Sequence, residues 1–270
     1  MINFFRRIRQ KLLTENKLSK YLVYAIGEIV LVVVGILIAL QVNNWNIKQK
    51  DKAKTDKYVK NLIAALDNDI ATFEHNISFN KTRLKGIFYL LEQSGLNTHT
   101  FTELDWIDDF EEDKENNLWR GAFPDTLNPQ FTVLAFSLIG RGFGGISLDK
   151  TVINELFSTG SFSNIEDDKL KSQIGNYYSF AAKRLEGYAI EEHEEWANET
   201  TRFLRDNCGI FSLDVSDMEN PIERLKGRKD VEHHLRYLAL EVNYHCIWAV
   251  HAKEQALELQ RLIEKKMQAD

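Results

Sequence analysis

Proline is nearly absent from this chain: Pro124, Pro129 and Pro221 are the only three in 270 residues. Such scarcity leaves long helices uninterrupted. Cysteine is rarer still, and Cys208 and Cys246 are too few for a disulfide framework. With the last two long helices antiparallel, they lie about 25 Å apart along the axis, too far to bridge. Chemistry-bearing motifs are missing as well. No nucleophile elbow, Walker loop, C-x-x-C or H-E-x-x-H occurs, which removes the common hydrolase, nucleotide and zinc signatures. Ferritin-like di-metal sites need Glu-x-x-His on two helices. No histidine here follows a glutamate at that spacing, and Asp230-x-x-His233 stands alone.

Weaker matches fail on context. "ELDWIDDFEEDKE", residues 103–115, packs eight acids into 13 positions without a glycine. A calcium loop needs that glycine for its turn, so the run reads as a solvated acidic helix or loop. "GRGFGG", residues 140–145, matches G-x-G-x-x-G but lacks the flanking strand and helix of a dinucleotide fold. It reads as a loop. "EEHEEW", residues 191–196, surrounds His193 with four acids in mid-helix and reads as a charged, solvated face. No cofactor and no metal are expected.

What the chain does have is one long apolar run. Residues 21–42 hold a single charge, Glu28, and none follows until Lys48. Twenty-two residues rise roughly 33 Å, enough for a bilayer core. Tyr21 and Tyr24 at one end and Trp45 at the other sit where interface anchors sit. The run is too long for a signal peptide and closes on no small-x-small site, so it reads as an uncleaved transmembrane anchor. Charge follows the same division. Residues 1–60 carry 12 Lys/Arg against Glu15, Glu28, Asp51 and Asp56, a net +8, within a chain of net −6. Beyond residue 60 the balance is therefore −14. The basic part suits a bilayer with anionic headgroups, and the acidic remainder argues against nucleic acid as a partner. The positive-inside count is even on the two sides. A basic N-terminus resists translocation, which points to an N-terminus in the cytoplasm and a C-terminal domain outside it.

Ahead of the span, "MINFFRRIRQKLL" sorts Ile2, Phe4, Phe5, Ile8, Leu12 and Leu13 to one helical side, and Arg6, Arg7, Gln10 and Lys11 to the other. That is the pattern of an in-plane membrane-surface helix. Within the span, Glu28 shares a stripe with Gly35 and Ala39. Small residues in line admit a neighbouring helix, and a lone carboxylate prefers such a neighbour to lipid. The stripe is a candidate transmembrane helix contact. A glutamate snorkelling to the nearer interface is the competing reading.

Beyond the membrane, Tyr58, Leu62, Leu66, Ile70, Phe73, Ile77, Leu84, Ile87 and Leu91 step by threes, fours and one seven. They predict one amphipathic helix over 46–94, with Gly95 as its C-terminal cap and no breaker separating it from the span. A second helix is predicted over 165–206, capped by Asp167 or Asp168. A third is predicted over about 228–266. Its seam, Val231, Leu235, Leu238, Val242, His245, Ala249, Ala252, Ala256, Leu259 and Ile263, alternates four and three, as in a coiled coil. His245, with Glu241 one turn before it, reads as a core histidine. Residues 131–139 are apolar enough for a core helix or a short strand.

The stretch "MINFFRRIRQKLLTENKLSKYLVYAIGEIVLVVVGILIALQVNNWN" resembles the opening of a large family of uncharacterised bacterial single-pass membrane proteins, a domain of unknown function. "INELFSTGSFSNIEDDKLKSQIGNYY", residues 153–178, resembles a second segment of that family, with Ser158-Thr159-Gly160 where the family has Ser-Gly adjacent. The resemblance implies a bacterial cytoplasmic-membrane location and carries over no catalytic residue. The expected fold is all-α: a surface segment (1–20), a transmembrane helix (21–45) and a helical extramembrane domain (46–270) built as an antiparallel bundle. Two functions fit. One is a self-associating scaffold, accessory or sensor protein, a homo-oligomer or part of a membrane complex, with Glu28 facing the axis if it forms a channel. The other is a membrane-tethered enzyme with its site in residues 96–165.

Overall fold

The computed structural model describes residues 18–98, 118–120, 122–141, 146–186, 188–212 and 214–269. Phe4, Phe5, Arg6, Arg7 and Ile8, the acidic run 103–115 and residues 142–145 of the glycine loop lie outside them, as do the side chains of Tyr21, Tyr24 and His193. The described chain is all-α. It comprises α1 (Leu18–Gln93), α2 (Pro129–Ile139), α3 (Thr151–Ser158), α4 (Asp168–Arg184), α5 (Tyr188–Cys208) and α6 (Lys229–Ala269), with 3₁₀ turns at Ser161–Asn164, Val215–Asp217 and Ile222–Arg224. It divides into two compact units, residues 1–56 and 57–270.

In the first unit α1 carries the apolar run, and the described Leu, Ile and Val side chains from Leu22 to Val42 are exposed. In the second unit α1 is amphipathic and ends where glycine permits. Gly95 takes φ +66° and donates to the Glu92 carbonyl, while Leu96 donates to Leu91 across the last turn (2.9 Å). This pairing satisfies carbonyls the helix would otherwise leave open. Residues 131–139 belong to a helix, α2. Asn128 caps it by accepting from the Phe131 N–H (3.0 Å), and Pro129 stands at its first turn, where no donor is needed. Asp167 caps α4 by accepting from the Leu170 N–H. Gly209, at φ +64°, closes α5.

Cross-links set the directions. Along α6, His245 meets Asn76, Lys253 pairs with Glu74 and Gln260 donates to Asp67, so α1 and α6 run antiparallel. Phe180 meets His251, Gln173 donates to Glu258, and further along Trp196 stacks by Tyr237 and Phe203 by His234. Both α4 and α5 therefore run antiparallel to α6, one after the other.

The single helix expected over 165–206 is two. Leu185 leaves helical geometry at φ −125°, ψ −8°, with Gly187 two residues on in the sequence. Glu186 uses the break to reach back: it accepts from the Leu148 N–H (3.2 Å) and pairs with Lys150. Leu185 remains fully buried, so the apolar phase reads through the break.

Two apolar clusters make the core. One gathers α1 from Leu84 onward, α2, α5 and the first half of α6. The other gathers α1 from Val59 to Ile77, α3, α4 and the second half of α6 from Ala249 to Ile263. The buried residues of the expected α6 seam all belong to one or other cluster except His245. Each buried Leu, Ile or Phe contributes about 1.5–3 kcal/mol.

Candidate functional site

Three features carry polar or unassigned chemistry. The first is the apolar run itself. Glu28, Gly35 and Ala39 lie on α1, Glu28 partly covered and the other two exposed. A side chain placed on Gly35 would meet no atom of this chain within 4 Å, so nothing intramolecular requires a glycine there. Trp45 is 64% exposed at the far end of the run.

The second is a polar layer between the two apolar clusters. Asn76, Asn80, Arg83 and His245 are all buried there. Asn80 Nδ2 donates to Asn76 O (3.0 Å) and Oδ1 (3.2 Å). His245 Nε2 lies 3.0 Å from the same Oδ1, which suits the tautomer with its proton on Nε2. Arg83 Nη2 donates to the Ile139 carbonyl at the end of α2 (2.8 Å). Burial lowers the Arg83 guanidinium to about 9, against the opposing pull of Cys246 and Glu194. Burial likewise pushes the Cys246 thiol up, with Arg83 opposing, so this cysteine stays a thiol. The neighbouring seam residues Leu238 and Val242 are fully buried. A one-turn slip of α6 on α1 would leave these polar groups against aliphatic side chains, at about 1–3 kcal/mol each.

The third is a carboxylate node. Asp69, 1% exposed, accepts from the Asp149 N–H (2.8 Å) and the Tyr177 hydroxyl (2.7 Å). Desolvation raises its pKa, the two donors oppose that, and the charges of Asp149 and Glu186 add to the rise. Burial and Asp69 together push Tyr177 up, so its hydroxyl remains a donor. The node ties α1 and α4 to the segment that opens α3.

A groove of about 320 Å³ with walls from residues 96–165 is bordered by Gln93, Pro129, Val133, Met218, Ile222 and Lys226, among others. No histidine lines it among the described residues. Also among the described residues, no group of three or more His, Cys, Asp or Glu is arranged to hold a metal ion. Cys208 and Cys246 are free thiols. Cys208 Sγ accepts from Arg228 Nη1 at 3.2 Å.

Sequence reading did not single out Asp69, Asn76, Asn80 or Arg83. A signal existed: the seven-residue step between Ile77 and Leu84 skips Asn80, which occupies the missing core position.

Comparison with known proteins gives one result. The model of a family of unknown function, DUF6090, matches residues 28–112, a stretch holding Glu28, Gly35, Ala39 and the α1 half of both polar features but stopping short of residues 153–178. No curated protein and no solved structure matches the chain.

Proposed function

We propose that this protein is a membrane-anchored helical scaffold, accessory or sensor subunit that self-associates through the Glu28, Gly35 and Ala39 stripe. One observation carries the reading. The most apolar window of α1 has a mean hydropathy of 2.6 and none of it is buried by the rest of the chain. A continuous exposed apolar surface of that length requires lipid or another helix against it. Trp45, Tyr21 and Tyr24 then sit near the two interfaces, and residues 1–20 lie on an anionic cytoplasmic face with residues 57–270 on the other side. The small side chains at positions 35 and 39 leave room for the backbone of a second copy.

The test is the native mass of the full chain in detergent, paired with crosslinking. A dimer or larger closed assembly is expected, and Glu28→Leu shifts its ladder towards monomer. A monomeric mass, or a ladder unchanged in Glu28→Leu, refutes the contact. Release of the chain from membranes by alkaline carbonate refutes the anchor.

A further inference from the structure

Directly after the apolar run the sequence places four lysines in seven residues: Lys48, Lys50, Lys52 and Lys54, with Asp51 the lone acid among them. All four lie on α1 and are exposed. At about 100° per residue, Lys48 and Lys52 project to one side of the helix, while Lys50 and Lys54 project to the opposite side. A protein partner docking on a helix reads one face, as the stripe of a packed helix does. Positive charge on opposite sides at one level fits a partner that surrounds the helix. The axial register supplies the second argument. Glu28 and Lys48 bound the charge-free stretch, and the 20 steps between them span about 30 Å, one hydrocarbon thickness. With Glu28 just inside one rim of the hydrocarbon, the four lysines occupy the 9 Å or so beyond the other, crossing a headgroup layer of about 5–7 Å and reaching its outer edge. Lysine stems lie along apolar surface while their ammonium groups reach outward.

We infer that Lys48, Lys50, Lys52 and Lys54 form a girdle that binds the phosphodiester headgroups of anionic lipids in the leaflet on the C-terminal side of the span. The girdle fixes the depth of α1 and enriches anionic lipid around it. This inference rests on the membrane-anchor reading.

The test is native mass spectrometry of the full chain, released from micelles doped with equal phosphatidylglycerol and phosphatidylcholine. Wild type is expected to retain phosphatidylglycerol preferentially. The fourfold Lys→Gln variant at 48, 50, 52 and 54 is expected to lose that preference by at least about tenfold, and the fourfold Lys→Arg variant to keep it. Arg6→Gln with Arg7→Gln serves as the comparison for charge on the other side of the span. Three outcomes overturn the girdle: an undiminished preference in the Lys→Gln variant, an equal loss in Lys→Arg, or displacement of the lipid by millimolar glycerol phosphate, which would make the site one for a free phosphate ester. Alkaline carbonate extraction of membranes carrying the same proteins separates the two failures. A chain that stays in the pellet without lipid preference refutes the girdle alone, and a chain that washes out refutes the anchor beneath it.

Discussion

Replacing Asp69 with alanine isolates the one carboxylate that ties α1 and α4 to the start of α3. The wild-type side chain accepts two hydrogen bonds, from the Asp149 N–H at 2.8 Å and the Tyr177 hydroxyl at 2.7 Å. Bonds to a charged acceptor contribute about 1.5–3 kcal/mol each, and the donors left behind add a further penalty. Against that stands the burial of the carboxylate, which its raised pKa records. The expected net loss for Asp69→Ala is about 2–4 kcal/mol. Tyr177→Phe removes one donor and loses about 1–2 kcal/mol. The two residues share a bond, so the double variant loses less than the two single losses combined, by at least about 1 kcal/mol.

Acid titration supplies an independent sign. The folded pKa of Asp69 lies above its ordinary value of 3.8. The native state therefore holds this proton more tightly than the unfolded chain. Its contribution is fully present below 3.8 and is lost as pH rises through the folded value. The stability gap between wild type and Asp69→Ala should widen as pH falls from about 7 towards about 4. Carboxylates away from the node titrate alike in both proteins and cancel; Asp149 and Glu186, whose charges act on Asp69, are part of the difference. The assay is urea unfolding of the full chain in mild detergent, followed by tryptophan fluorescence, at several pH values. A gap that narrows on acidification, a loss under about 1 kcal/mol, or zero coupling to Tyr177 refutes the node.

Two further substitutions probe the packing around the polar layer. A side chain on Gly86 would meet Ala135 at 3.2 Å from its Cα and 3.3 Å from its Cβ, so Gly86→Leu wedges α1 from α2 and should lose about 2–3 kcal/mol, while Gly86→Ala stays within about 1 kcal/mol of wild type; equal thermal melts for the Leu variant and wild type would show that α2 does not pack there. Arg83 is charged in both folded and unfolded chains at neutral pH, and its folded pKa of about 9 lies below the ordinary 12.5. The unfolded chain binds the proton more tightly, so wild type should gain stability relative to Arg83→Met as pH rises past about 9. A flat difference across that range would mean the guanidinium is not desolvated.

The architecture was legible where period and punctuation agree. The α6 seam keeps its alternation through ten positions, and the expected stop at Gly95 is a glycine at positive φ. The break between α4 and α5 was not legible for a specific reason. Leu185 stays in phase with Ala181 and is as fully buried, so periodicity sees no interruption. The energetic cause, Glu186 turning back to Leu148 and Lys150, joins residues 36 to 38 positions apart, beyond any helical period. Asp69 was missed differently. A search for apolar steps passes over a polar residue on the apolar face, although burial there obliges it to find partners.

That oversight points to what such positions can supply. Asn76, Asn80 and Arg83 interrupt the apolar face of α1, and His245 interrupts that of α6. Each exception is costly alone, since an aliphatic partner would leave its polar atoms unsatisfied. Two antiparallel helices therefore reduce their joint cost by bringing the exceptions to one level. Aligning Asn76 with His245 on that ground brings Glu74 towards Lys253 and Asp67 towards Gln260 to within about two turns, and those pairs are joined in the structure. The apolar period establishes which faces meet, and the polar interruptions narrow the register at which they do. A polar residue on an otherwise apolar stripe thus carries axial information that the stripe itself, repeating every turn or two, does not contain.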